Sequence, residues 1–214
     1  MPPEPVIEFD ATALAWDKQG GLIPAIVQDA VSRRVLMLGY MNRQALDHTL
    51  ASGRVTFYSR SQRRLWTKGE SSGNTLHLVG IEADCDADTL LIQAHPAGPT
   101  CHLGRSSCFA QAPADFLAEL DAFIDHRQHE RPAGSYTTRL FESGLPRMAQ
   151  KVGEVGVETA LAAVVGKDGE LSNEAADLIY HLLVLLHASK LSLADVIAVL
   201  QQRHHTMQVG EASE

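Results

Sequence analysis

The chain has 214 residues, about 45% of them apolar, and a net charge of −8. That length suits one large domain or two small ones with a real core. The acidic balance argues against a general nucleic-acid binder, which needs a basic face, and no apolar run approaches the roughly 20 residues that span a bilayer. The opening "MPPEPVIEFD" lacks the basic and apolar regions of a secretory signal, so a cytoplasmic protein is expected. Thiols stay reduced there, and three cysteines then point to metal binding or catalysis more than to a disulfide.

The first half reads as strands. "LIPAIVQDA" (22–30) and "RVLMLGYM" (34–41) are β-rich runs joined by a polar turn at Ser32-Arg33. Asn42 can cap a short helix, "RQALDHTLA", that stops near Gly53. "RVTFYSRS" (54–61) is another strand, followed by a polar, glycine-containing segment, "RRLWTKGESSGN" (63–74). "TLHLVGIEA" and "TLLIQAHP" are strands on either side of "DCDAD" (84–88). Near Pro113 the pattern changes to helical spacing, with Phe116, Leu117, Leu120, Phe123 and Ile124 on the first helix. A loop with Pro132 and Gly134 follows. A second helix carries Pro146 in its first turn, a third has Ser172 as N-cap, and a fourth opens on Ser192 and Asp195 in a capping-box spacing. Two domains are predicted: an α+β metal-binding domain over 1–112 and an all-α helical bundle over 113–214.

All three cysteines lie close to three aspartates. In an extended backbone Asp84, Asp86 and Asp88 point to one face and Cys85 to the other. Hard carboxylates suit Mg²⁺, and soft thiolates suit Zn²⁺. The three aspartates would hold Mg²⁺, while Cys85, Cys101 and Cys108 would hold Zn²⁺ with a fourth position for water. His102 could fill that position or handle protons beside it. Taken singly, each cysteine could be a small buried hydrophobe and each aspartate could solvate a turn. The spacing alone leaves open whether zinc is structural or catalytic.

In the second domain Glu154 and Glu158 share a helix face, as do Glu174 and Asp177 on the next helix. Such a set can converge on Mg²⁺ and phosphate oxygens, with Lys151, Arg139 or Arg147 meeting the phosphates; a solvated face of ordinary ion pairs is the bland alternative.

Residues 22–109 resemble phosphoribosyl-AMP cyclohydrolase through "GLIPAIVQD", "LMLGYMN", "GRVTFYSRS", "LWTKGESSGN", "DCDADTLL" and "GPTCHLGRSSCF". Residues 116–205 resemble phosphoribosyl-ATP pyrophosphohydrolase, of the all-α nucleotide pyrophosphohydrolase superfamily, through "SYTTRLF", "QKVGEVGVETALAA" and "NEAADLIYHLLVLL". Together they resemble the bifunctional enzymes of histidine biosynthesis. The resemblance implies that the second domain cleaves phosphoribosyl-ATP to phosphoribosyl-AMP and pyrophosphate, and that the first then opens the adenine ring at N1–C6. It also implies a homodimer whose zinc site takes cysteines from both chains, and Mg²⁺ on the aspartates matched by Asp84, Asp86 and Asp88. His102 is the candidate for proton transfer at N1. Lys68, Gly69, Glu70, Ser72, Gly73 and Asn74 look like a substrate loop whose glycines permit close approach. The competing readings are a cyclohydrolase with a weakened helical dimerisation domain, and a non-catalytic zinc-stabilised module. One departure concerns position 155: the family pattern Gly-Glu-Glu-x-x-Glu reads Gly153-Glu154-Val155-Gly156-Val157-Glu158 here. The expectation is a carboxylate arc missing one flank, with a greater need for Mg²⁺; a core position is the alternative.

Overall fold

The computed structural model of the chain describes residues 9–166 and 169–211. Residues 1–8, which hold most of the opening segment considered above, lie outside the described residues. The chain divides between Phe116 and Leu117 into two units.

In the first unit two 3-10 turns, Ala11–Ala13 and Trp16–Gln19, lead into β1 (Ile23–Asp29), β2 (Val35–Met41), α1 (Arg43–Ser52), β3 (Thr56–Ser59), β4 (Arg64–Thr67), β5 (Leu76–Ala83) and β6 (Leu90–Pro96). The main sheet has the order β2-β1-β6-β5. β1 runs antiparallel to β2 and parallel to β6, with Ala25 opposite Leu90. On β1, Ile23, Ala25 and Val27 are fully buried and alternate with half-exposed neighbours, the two-residue period of a sheet with one face on the core. Leu90, Ile92 and Ala94 do the same on β6, and α1 adds Ala45 and Leu46 to this core. Asn42 caps α1 by accepting from the Ala45 N–H at 2.9 Å, and Gly53, at φ +66°, closes it.

The polar run 63–74 is not uniformly a loop. Its first part is β4, which pairs with β3 as a separate hairpin. Trp66 stacks on Phe57 at 5.8 Å between centroids, and this packing outweighs the flanking arginines. Phe57 is in turn buried against β2, where a Cβ on Gly39 would overlap its ring.

The second unit has five helices among the described residues: α2 (Phe116–Glu130), whose first residue closes the first unit, α3 (Tyr136–Glu142), α4 (Leu145–Val165), α5 (Glu170–Ala188) and α6 (Leu193–Glu211). Four were expected. α3 occupies part of the stretch taken as a loop, with Ser135 accepting from the Thr138 N–H. α5 begins at Glu170 behind Gly169, whose φ of +79° sets the start two residues before the expected cap Ser172. The capping box at α6 forms as expected: the Ser192 N–H donates to Asp195 Oδ2 at 2.8 Å, and the Asp195 N–H donates to Ser192 Oγ at 3.4 Å. Ile124, Leu140, Phe141, Met148, Leu183 and Val184 make the core. Among the described residues no single helix is long and apolar enough to cross a membrane.

Candidate functional site

β4 runs directly into the loop 68–74, and its glycines have steric work to do. Gly69 adopts φ +84°, and a Cβ there would overlap the Asn74 backbone. Gly98 presses on the Asn74 side chain from the other side. The Glu70 carboxylate takes the Arg64 guanidinium and the Thr67 N–H, and the arginine holds it below the usual carboxylate range. Lys68 is only 8% exposed; burial pushes its ammonium below the ordinary lysine range, opposed by the sulfurs of Cys108 and Cys101. Lys68, Gly69, Glu70, Ser72 and Asn74 wall a pocket of about 450 Å³. Gly73, at φ +78°, shapes the turn without lining it.

Across this pocket stand Cys101, His102 and Cys108. A tight turn holds the first, with the Cys101 N–H donating to Arg105 O and the Gly104 N–H to Cys101 O. The Cys108 N–H donates to Leu36 O at 2.8 Å, and Ser107 Oγ donates to Val35 O at 2.7 Å, which pins this segment to the start of β2. The Leu103 N–H, then Arg105, hold the Cys101 thiol below its ordinary range despite burial. The residue Cys108 is exposed, yet desolvation of its sulfur and the Cys101 sulfur beside it push its thiol up. Both thiols are free, and the two lie together over a buried cation.

Cys85 does not join them. It is exposed in the turn between β5 and β6, while Cys101 lies beyond the far end of β6. Seven extended residues separate the two ends of β6 by roughly 20 Å. Within one chain, therefore, the three cysteines do not form the expected single ligand set, and the only group of three possible ligands among the described residues is Asp84, Asp86 and Asp88. These aspartates do converge, with ligand atoms within 4.8 Å of one another, but not as alternate residues of a strand. The run is a turn with Ala87 at φ +59°, and Asp84 Oδ1 accepts from the N–H groups of Asp88 and Thr89 at 3.0 and 3.1 Å. Lys18, unmarked in the sequence reading, lies here: its Nζ is 2.6 Å from Asp86 Oδ2 and 3.3 Å from Asp88 Oδ2.

In the second unit, α4 and α5 pack against each other, and the carboxylates converge only in part. Glu154 takes Arg147 Nη1 at 3.4 Å, Gln150 Nε2 at 2.8 Å and Lys151 Nζ at 3.5 Å. His181 is 6% exposed, its pKa lowered first by burial and then by Lys151, while Asp177 and Glu154 oppose the shift. Lys151 and Glu154 of α4 thus face Asp177 and His181 of α5. Glu174 is half-buried and Glu158 exposed, and no three of these four carboxylates bring ligand atoms within 4.8 Å of one another. Arg139 is engaged locally, with Nη1 donating to Gly134 O at 3.0 Å and its guanidinium over the Tyr136 ring. His181 escaped the sequence reading; its place one turn after Asp177 was the available signal. Val155 is 2% exposed, so the side chain at position 155 is buried on α4.

Residues 37–110 match the family model of phosphoribosyl-AMP cyclohydrolase, and residues 117–204 that of phosphoribosyl-ATP pyrophosphohydrolase. The "Histidine biosynthesis bifunctional protein HisIE" of Xanthomonas campestris pv. campestris is 67% identical over 192 residues, covering 90% of this chain and 93% of the relative. The protein of that name from Xylella fastidiosa (strain Temecula1) is 66% identical over 191 residues, covering 89% and 93%. Its counterpart in Salmonella typhimurium is 58% identical over 193 residues, covering 89% and 95%.

Proposed function

The chain belongs to the bifunctional family of histidine biosynthesis that joins a phosphoribosyl-AMP cyclohydrolase to a phosphoribosyl-ATP pyrophosphohydrolase, and from that membership we propose how its residues divide the work. It performs both hydrolytic steps: release of pyrophosphate from phosphoribosyl-ATP, then opening of the adenine ring of phosphoribosyl-AMP. The observation that carries the assignment of residues is the pocket itself, which sets the 68–74 loop against Cys101, His102 and Cys108.

Ring opening takes place in this pocket. Cys101 and Cys108, with Cys85 supplied by a second copy, form a thiolate set suited to zinc, which supplies a water acidic enough to attack near neutral pH. The loop 68–74 orients the nucleotide, with the buried Lys68 ammonium placing positive charge at the wall. Water adds at C6, the N1–C6 bond breaks, and His102 hands a proton to N1. Asp84, Asp86 and Asp88 offer hard oxygen ligands in a spacing that suits Mg²⁺.

Pyrophosphate release belongs to the facing surfaces of α4 and α5. Glu154 and Asp177, with Glu158 and Glu174 flanking, would hold Mg²⁺, which would offset phosphate charge there. Lys151 and Arg139 meet phosphate oxygens. Val157, Leu161 and Val164 leave an apolar stripe on α4, with Val164 85% exposed, and a second copy covering such a stripe is the homodimer of this proposal. The reading includes the cytoplasmic location expected for free thiols.

Mixing two inactive variants tests the shared site. Cys85→Ser and Cys101→Ser each destroy both zinc sites of their own dimer. After unfolding together and refolding, half of the dimers are mixed, and each carries one intact site, so about a quarter of parental ring opening returns. Recovery of none, with mixed dimers demonstrated by mass spectrometry, would refute a site built across two chains.

A further inference from the structure

Phosphoribosyl-AMP carries two phosphate monoesters, each with a charge of roughly −1.5 to −2 near neutral pH. The ring-opening pocket is poorly furnished for both. Among the described residues its lining holds one lysine and no arginine, and its carboxylate, Glu70, is already taken by Arg64. Further cations lie beside the turn that carries Cys85. The Ala15 N–H donates to Ala87 O at 2.8 Å, and Lys18 Nζ reaches Asp86 Oδ2 at 2.6 Å, so the turn Trp16–Gln19 and the Cys85 turn form one piece. Next to them opens a hollow of about 770 Å³ between Trp16, Lys18, Asn42 and Arg43. Arg43 is exposed, and its Cζ stands 5.6 Å from the centroid of the half-buried Trp16 ring. Among the described residues it meets no carboxylate, unlike Lys18, Arg64 and Lys151. It is also the first residue of α1, and the N–H groups at a helix start favour an anion.

We propose that Arg43 is a substrate-binding residue of the ring-opening site and acts in trans: seated on the Trp16 ring, it holds one phosphate of the phosphoribosyl-AMP bound in the pocket of a second copy. This rests on the shared zinc site proposed above. A turn that delivers Cys85 to the Cys101 and Cys108 of another chain carries the hollow with it, because the two are bonded together. Arg43 then comes alongside that chain's pocket and supplies the charge its lining lacks. A guanidinium suits the task because it offers two parallel donors to a phosphate while its plane rests on an aromatic ring. The Trp16 indole N–H donates to Ala11 O at 3.4 Å, which fixes the ring beneath it. Ring opening leaves the phosphates unchanged, so the contact is as strong before the reaction as during it and bears on KM more than on kcat.

The test uses the full-length zinc-loaded protein and the refolded mixture of Cys85→Ser with Cys101→Ser chains. In the mixed dimer the working site takes Cys101 from the Cys85→Ser chain and Cys85 from the Cys101→Ser chain. Arg43→Met on the Cys101→Ser chain should therefore raise KM for ring opening about tenfold or more, with kcat within about twofold. The same substitution on the Cys85→Ser chain falls in the dead site and should move neither. Arg43→Met in otherwise parental dimers should raise KM alike, with zinc content, melting temperature and pyrophosphate release held. The inference is overturned if KM holds in both mixtures, if it rises when the substitution sits on the Cys85→Ser chain, or if kcat falls in its place. A mixture without Arg43→Met that recovers no ring opening, with mixed dimers demonstrated, would overturn the shared zinc site and this inference with it. Recovery with an unmoved KM would overturn this inference alone.

Discussion

Replacing Val155 by glutamate restores the residue of the family pattern and asks whether position 155 serves metal or core. Val155 is 2% exposed on α4, the helix packed against α5. Removing its buried surface forfeits about 1.5–2 kcal/mol. The incoming carboxyl must either ionise in a buried position or take up a proton, which adds at least ~1–2 kcal/mol. A loss of about 3 kcal/mol or more results. For a unit the size of Leu117–Glu214, each kcal/mol moves the melting temperature by roughly 4–8 °C, so a fall of about 12 °C or more is expected. Calorimetry would resolve it, with the first unit's transition and ring opening left in place. A pyrophosphate assay against Mg²⁺ would complete the experiment. An unchanged melting temperature together with a lower Mg²⁺ requirement would refute this reasoning and put residue 155 among the metal-facing carboxylates.

Two further outcomes are expected. Lys18→Met removes the ammonium that bridges Asp86 and Asp88, so divalent cations, with Mn²⁺ as the spectroscopic probe, should bind this turn roughly threefold more tightly; the effect is small because the pair is solvent-exposed, and weaker binding would show that Lys18 organises the turn instead of competing for it. A chain cut after residue 116 keeps the Asp115 N–H on Ser32 O at 2.7 Å but loses the α4 stripe; at concentrations where it still dimerises it should open the ring of phosphoribosyl-AMP and leave phosphoribosyl-ATP intact, and a folded, dimeric fragment lacking ring opening would show that the two sites are not independent.

Local signals in the sequence were legible where one interaction dominates. The alternation Ile23, Ala25, Val27 gives β1, Asn42 and Gly53 bracket α1, and Ser192 with Asp195 opens α6. Segments decided by tertiary contact were not. β4 exists because Trp66 meets Phe57, and the seven residues of α3 are too few to show a helical period. The aspartate cluster illustrates both sides. Its three members were found, but the geometry was misjudged, because Asp84 spends its side chain on backbone N–H groups and bends the run into a turn. The same turn carries Cys85 away from Cys101, which only the direction of β6 reveals. Lys18 arrives from far along the chain.

The parallel pairing of β1 with β6 also has a kinetic consequence. β1 is made early and at once finds β2, but its other edge waits for β6 until α1, the β3–β4 hairpin and β5 have been synthesised. At roughly 5–20 residues per second, that interval lasts several seconds on the ribosome. Throughout it, one ladder of β1 is unpaired and Ala25 and Val27 lack their lateral neighbours Leu90 and Ile92. Non-local pairing of this kind is slow to form, and an open apolar strand edge is a template for wrong partners. A strand that ends in the interior of the finished sheet is therefore an exposed segment of the nascent chain, and one for which a chaperone has work to do.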